Sequence, residues 1–271
     1  MHDINKYNTT HIIMDTFVIV SICIAIIIIL LTIMFPFLQK IPKFHRIKFL
    51  NRIHEYDNCY SYIFDKTNGI EYVAGQYGHI LPAYIPSKSL VREMSFSSES
   101  NPNDKTFRIT MHHDKLSKFK NKMEELQIGD YITIFKIKGE FVLPIEKDIP
   151  IVFIGGGVGM TPFRSMILYA NRIGGYNITL LQVQRGNKEQ FLFYDDVNES
   201  VQAYIQSQPE EFNTNMEKLI QKHTHTNALF YICGSQRFVN GSISLLEHHG
   251  IDENRIKLES FNKKKKDTTN T

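Results

Sequence analysis

Cysteine is scarce in this chain. Its 271 residues hold three, Cys23, Cys59 and Cys233, far apart and with no CxxC spacing. That excludes a disulfide framework and a cysteine-rich zinc or iron-sulfur site, and it fits a reducing, cytosol-facing location. Neither sign of charge dominates. A net charge of +3, evenly spread, gives no footprint for nucleic acid, and 22% charged with 42% apolar residues excludes a disordered polymer. No internal repeat is present. The pairs His112-His113, His223-x-His225 and His248-His249 sit at a strand end, a polar loop and a helix end, without acidic or cysteine companions at ligand spacing. No metal site is expected from them.

Charge is absent altogether from residues 17–38, FVIVSICIAIIIILLTIMFPFL. As a helix rising ~1.5 Å per residue this run spans ~33 Å, enough to cross a bilayer core. A cleaved signal peptide fits less well: no basic stretch precedes the run, the run is too long, and no small-residue cleavage site follows. Lys40, Lys43, Arg46, Lys48 and Arg52 crowd the C-terminal flank, against Asp3, Lys6 and Asp15 on the other side. An excess of basic residues marks the cytoplasmic flank. The expectation is an N-terminal tail at 1–16, one transmembrane helix at 17–38 and a cytoplasm-facing remainder.

That remainder is long enough for two domains. Over 43–147, short runs rich in branched and aromatic residues (IKFLNRI, YSYIFD, TFRITMH, YITIFKIK) alternate with turn residues such as Asn68-Gly69 and Gly129-Asp130, the spacing of a small antiparallel barrel. One helical piece, SKFKNKMEELQ, interrupts it. Within the barrel, Arg92-Glu93-Met94-Ser95-Phe96-Ser97-Ser98 places a lone arginine before a series of hydroxyls. Planar guanidinium donors suit a diphosphate, and serines add uncharged hydrogen bonds. The same residues on an edge strand also describe a solvated surface.

Over 148–262 the pattern changes to strand, glycine loop, helix. The apolar strand IPIVFI runs into Gly155-Gly156-Gly157-Val158-Gly159-Met160-Thr161-Pro162, and a helix is expected from about Phe163 with Thr161 as its cap. Glycines let a pyrophosphate approach bare backbone amides, and a helix start adds a positive dipole end. Strands NITLLQV, SVQAYIQS (an edge), ALFYICG and RIKLESF then alternate with helical stretches, as a parallel sheet demands. The last residues, 263–271, carry four lysines and form a polar tail.

The ordered set of motifs resembles the ferredoxin-NADP reductase superfamily, which includes NADH-cytochrome b5 reductases. It comprises Ala74-Gly75-Gln76-Tyr77, the run at Arg92, Ser117-Lys118-Phe119-Lys120, Gly129-Asp130, Gly139-Glu140-Phe141-Val142-Leu143-Pro144, the glycine loop through Met166, Cys233-Gly234 and Glu259-Ser260-Phe261. The resemblance implies an α+β two-domain fold, an antiparallel β-barrel that binds FAD followed by an α/β Rossmann-like domain that binds NADH or NADPH. By matching position, Arg92 would bind the FAD pyrophosphate, Ser95 the flavin ring, with Ser97 and Ser98 beside it, and Ser117 with Lys118 the phosphates. Gly156, Gly157, Gly159 and Thr161 would cradle the nucleotide pyrophosphate. Cys233 and Gly234 would lie beside the nicotinamide, with Glu259 and Phe261 against the flavin. Arg185 stands where a 2'-phosphate or adenosine ribose is read, or is an ordinary loop arginine, so both nucleotides stay open. Two positions depart from the family: Met94 replaces an aromatic that stacks on the flavin, and Ser235-Gln236-Arg237-Phe238 replaces prolines and a methionine. The implied activity is hydride transfer from NAD(P)H to FAD, with electrons passed to a separate cytochrome, ferredoxin or quinone-like acceptor. The departures leave a second expectation, a catalytically silent, FAD-less binding module of the same fold.

Overall fold

The structure is a computed structural model and describes residues 20–34, 43–67, 69–82, 90–114, 116–186 and 190–261. The chain divides into two compact units, Met1–Lys43 and Phe44–Thr271. In the first, residues 20–34 form helix α1, whose side chains are all exposed, Val20 to 49% and Leu31 to 61%. A helix of this length spans ~22 Å, and among the described residues no helix is long and apolar enough to cross a membrane. The ends of the expected span, 17–19 and 35–38, lie outside the described residues, as do the tails at 1–16 and 263–271.

The second unit begins with six antiparallel strands, β1 (Phe44–Tyr56), β2 (Cys59–Asp65), β3 (Tyr77–Leu81), β4 (Arg92–Ser95), β5 (Thr106–His112) and β6 (Tyr131–Lys138), in the order β4-β3-β6-β1-β2-β5. Alternation drives the fold: Ile47 and Phe49 of β1 are buried between exposed Arg46 and Lys48, the period of a sheet with one face inward. An antiparallel bridge between Phe96, just past β4, and Ile109 of β5 joins the two edges and closes the sheet into a barrel. Helix α2 (Lys118–Glu124) lies between β5 and β6 and buries Phe119 and Met123, one helical turn apart, in the barrel core.

Five parallel strands follow, β7 (Ile151–Gly156), β8 (Ile178–Val183), β9 (Ala203–Ser207), β10 (Leu229–Gly234) and β11 (Ile256–Ser260), in the order β11-β10-β7-β8-β9. Helices α3 (Met160–Ile173), α4 (Tyr194–Val197), α5 (Phe212–His223) and α6 (Gln236–His248) connect them. Strand β7 is buried on both faces, as a central parallel strand must be. Ile151 and Phe153 pack with α3, whereas Val152 and Ile154 join a second core with residues of α5 and α6. The α3 core also contains Tyr56, Cys59, Ala74 and Phe141 from the barrel side, so one apolar cluster binds the domains together.

Local expectations need three corrections. Helix α3 begins at Met160 rather than near Phe163, continuing directly from a 3-10 turn at Gly157–Gly159. Thr161 therefore does not cap it; the residue lies inside the first turn and its hydroxyl donates to the Val158 carbonyl at 3.0 Å. His223, expected on a polar loop, is the last residue of α5 and is buried, its ring edge-on to that of Phe230.

Candidate functional site

Two segments expected to meet a diphosphate come from distant points in the chain and converge. Arg92 opens β4, Ser117 and Lys118 stand at the start of α2, and with Asp114 and Leu116 they line a cavity of about 360 Å³. The sequence folds this way because Ser117 is the N-cap of α2, its hydroxyl accepting from the Lys120 amide at 3.4 Å while its own amide donates to Asp114 Oδ1 at 3.1 Å. Asp114 places a carboxylate in the wall. It is already matched: a hydrogen bond from Lys120 is the main reason its carboxyl is held below the usual range. Arg92 and Lys118 are thus left to set the charge of the cavity, and the Arg92 guanidinium engages only the neighbouring Val91 carbonyl, at 2.7 Å, among the described residues. This donor set fits a pyrophosphate.

The rest of the serine run divides. Ser95 is buried, and among the described residues its hydroxyl has no hydrogen-bond partner. Ser97 and Ser98, expected on the cofactor, belong instead to the protein interior and the domain seam. The Ser97 hydroxyl is fully buried in a chain with Thr110 (2.8 Å) and Ser61 (Thr110 to Ser61, 2.6 Å). The Ser98 hydroxyl accepts from the Arg108 amide and bonds the Tyr72 hydroxyl, each at 2.8 Å. Met94 packs against the barrel core from a half-buried position. Neither it nor the three serines lines the cavity.

In the parallel domain the glycine loop follows β7 directly. Gly159 permits a close approach: a Cβ there would lie 2.1 Å from the Cys233 carbonyl oxygen, so the loop is seated on the end of β10. Gly157, at φ +54°, has nothing within 4 Å of where a Cβ would stand, an open position in a backbone conformation that favours glycine. Cys233 and Glu259 are partners in register on β10 and β11, and the Phe261 amide donates to the Gly234 carbonyl at 3.3 Å. The structure therefore brings the Cys-Gly and Glu-x-Phe motifs together. The Cys233 side chain, however, is fully buried and offers no open face to a nicotinamide in this conformation. Burial first, then the Glu259 charge, pushes its thiol well up, so it is no thiolate nucleophile. Arg185 is exposed just beyond β8, at the carboxyl edge of the sheet, away from the barrel cavity's walls.

A polar seam between the domains was not anticipated from the sequence. Arg164 of α3, 7% exposed, donates Nε to Asp196 at 2.7 Å and Nη1 to the Ser97 carbonyl. Ser165 donates to the Ser98 carbonyl at 2.6 Å, and Arg172 pairs with Glu99. Arg108 of β5 lies 3.4 Å from Glu55 and 3.7 Å from Asp196. Burial alone would raise the Asp196 carboxyl, but Arg164 and Arg108 outweigh it and hold the group below its ordinary value. Arg164 and Ser165 fall in the matched run after the glycine loop, the only sequence signal for this seam; Asp196 carries none.

No protein-family model matches the sequence. Over 238 residues the chain is 24% identical to a flavohemoprotein of Rhizobium meliloti (strain 1021), covering 76% of this chain and 58% of that protein. It is 25% identical over 214 residues to the reductase component of propane 2-monooxygenase from Rhodococcus jostii (strain RHA1), covering 71% and 56%. The chain thus spans little more than half the length of these relatives. Among solved structures, a ferredoxin NADP+ reductase from Neisseria gonorrhoeae with bound FAD and NADP superposes with a TM-score of 0.67 at 17% identity, over 81% of this chain and 99% of that one. An Amycolatopsis cytochrome P450 reductase gives 0.66 at 16% identity, over 81% and 70%.

Proposed function

For a chain with the two-domain fold of the ferredoxin-NADP reductase superfamily, we propose the function of a flavoprotein reductase that takes electrons from NAD(P)H through FAD to a separate acceptor. The observation that carries this reading is the cavity in which Arg92 faces Ser117 and Lys118. Two segments distant in sequence meet there with the donor set of a diphosphate site. Bound together, the nicotinamide and flavin supply hydride and electron transfer themselves. The chain's residues hold and orient. Arg92 and Lys118 neutralise phosphate charge, Ser95 offers a hydrogen bond to the ring system, and Gly157 leaves open backbone at the end of β7, where Gly159 lets the loop sit against β10. The polar seam of Arg164, Asp196 and Ser165 fixes one domain against the other, so that both sites keep a set relation.

The acceptor is proposed as a separate cytochrome, ferredoxin or quinone-like molecule, in keeping with relatives that are reductase components. Membrane anchoring through residues 17–38, with the catalytic unit facing the cytoplasm, belongs to the same proposal. It is supported by the uncharged sequence, by the exposed apolar surface of α1 and by the basic flank beyond it. A second reading, a FAD-less binding module, is favoured by Met94, which lacks an aromatic face for a flavin. The two are separated by the visible spectrum of the full chain purified in detergent and mixed anaerobically with NADH or NADPH. Yellow absorbance that bleaches supports the reductase; a folded, colourless protein that stays so after FAD is added supports the module.

A further inference from the structure

We propose that Phe238 is a displaceable cover over the nucleotide crevice, one that NAD(P)H must move aside to reach the glycine loop; this rests on the reading of the parallel domain as the nucleotide domain. In that sheet the chain leaves β7 toward β8 on one side and returns with β10 on the other, so the strand order reverses between β7 and β10. In open α/β sheets ligands enter at the carboxyl ends of the strands beside such a reversal. The residues at those two ends are Gly156 and Gly234.

One ring lies on both of them. A Cβ on Gly156 would stand 3.0 Å from ring carbons of Phe238, and a Cβ on Gly234 would stand 2.7 Å from the same ring. The missing side chains of these glycines are thus filled by Phe238, which bridges the mouth of the crevice. Gly157, one residue on, has open space instead. The ring is held from the other side by Phe212 of α5, with centroids 5.3 Å apart. The Phe238 backbone is fixed by the capping of α6, its amide donating to the Ser235 hydroxyl at 3.3 Å. Because Phe238 is only partly buried at the margin of its core, the ring can swing out without emptying the space between sheet and helices.

A nucleotide that needs the open arrangement binds with an affinity scaled by the fraction of molecules in which the ring is aside. Removing the ring abolishes that cost. Judged by the worth of one aromatic pair, affinity should rise about two- to tenfold. The test is calorimetric titration of the FAD-loaded full chain in detergent with NADH, NADPH and ADP-ribose, comparing the unaltered protein with Phe238→Ala and Phe238→Tyr. Tighter binding to Phe238→Ala, with Phe238→Tyr close to the unaltered protein, is the expected result. FAD content and the circular dichroism melt report folding, and if Phe238→Ala does not fold, Phe238→Leu carries the same expectation with a smaller gain. Equal or weaker binding by a folded, FAD-loaded variant overturns the cover while leaving the nucleotide domain intact. Absence of binding by every form, FAD still in place, overturns the nucleotide domain and the cover with it.

Discussion

Truncating Arg92 to alanine separates cofactor binding from stability more cleanly than any other change in the barrel. The side chain is exposed at the start of β4, and its recorded hydrogen bond goes to the carbonyl of its own neighbour, Val91. Nothing in the core rests on it, so the unfolding free energy should shift by less than about 0.5 kcal/mol. Its role in the cavity is different in kind. A hydrogen bond between a guanidinium and a charged phosphate is worth about 1.5–3 kcal/mol, which corresponds to FAD binding weakened about 10- to 150-fold. Lysine at the same position keeps the charge but loses the planar fork, and should fall between the two. The assay is titration of the FAD-stripped protein with FAD, followed by flavin fluorescence, alongside a urea unfolding curve. Undiminished FAD affinity in a folded Arg92→Ala protein would refute the assignment of the cavity to the pyrophosphate.

Gly157→Val should retain FAD yet lose reduction by NAD(P)H: no atom lies near its Cβ, but φ +54° strains a branched residue, and normal single-turnover reduction would remove the glycine loop from the nucleotide site. Gly159→Ala should instead destabilise the fold, by at least about 2 kcal/mol in urea, since the added carbon would overlap the Cys233 carbonyl; a variant as stable as the parent contradicts that packing. Asp196, held below its ordinary value by Arg164 and Arg108, contributes stability that is present above an unfolded value of about 4 and lost as pH falls through the lower folded value. Asp196→Asn should therefore be less stable than the parent at pH 7 and approach it in acid. A gap that stays constant from pH 7 to strongly acid conditions would place the cost elsewhere.

Much of the architecture was legible in the sequence because it rests on period and composition. Two-residue alternation in IKFLNRI and YITIFKIK reports strands with one wet face, and the continuous apolar run IPIVFI reports a strand covered on both faces. The glycine loop lies between a buried strand and a helix as expected, although β7 runs on through Gly155 and Gly156. Helix α3 nevertheless begins earlier than expected. Capping preferences describe a helix start in isolation, whereas a 3-10 turn at Gly157–Gly159 leads straight into this one and leaves Thr161 within its first turn. The division of the serine run was also invisible. Ser95, Ser97 and Ser98 share one chemistry, and only the placement of Thr110, Tyr72, Arg108 and α3 around them decides which hydroxyls are engaged.

By itself the sequence determined the order of most elements, though not strand β3, the split between an antiparallel and a parallel domain, and the residue types available for phosphate, ring and backbone contacts. These follow from local preference and from the side-chain period, which act between near neighbours in the chain. The tertiary structure decided what meets what. It brought Arg92 to Ser117 and Lys118 across the barrel, buried Cys233 under the joined cores, laid Phe238 over Gly156 and Gly234 and gave Arg164 its partner in Asp196. Each of those depends on contacts between residues far apart in sequence, where packing and burial of charge set the outcome and no local pattern records it.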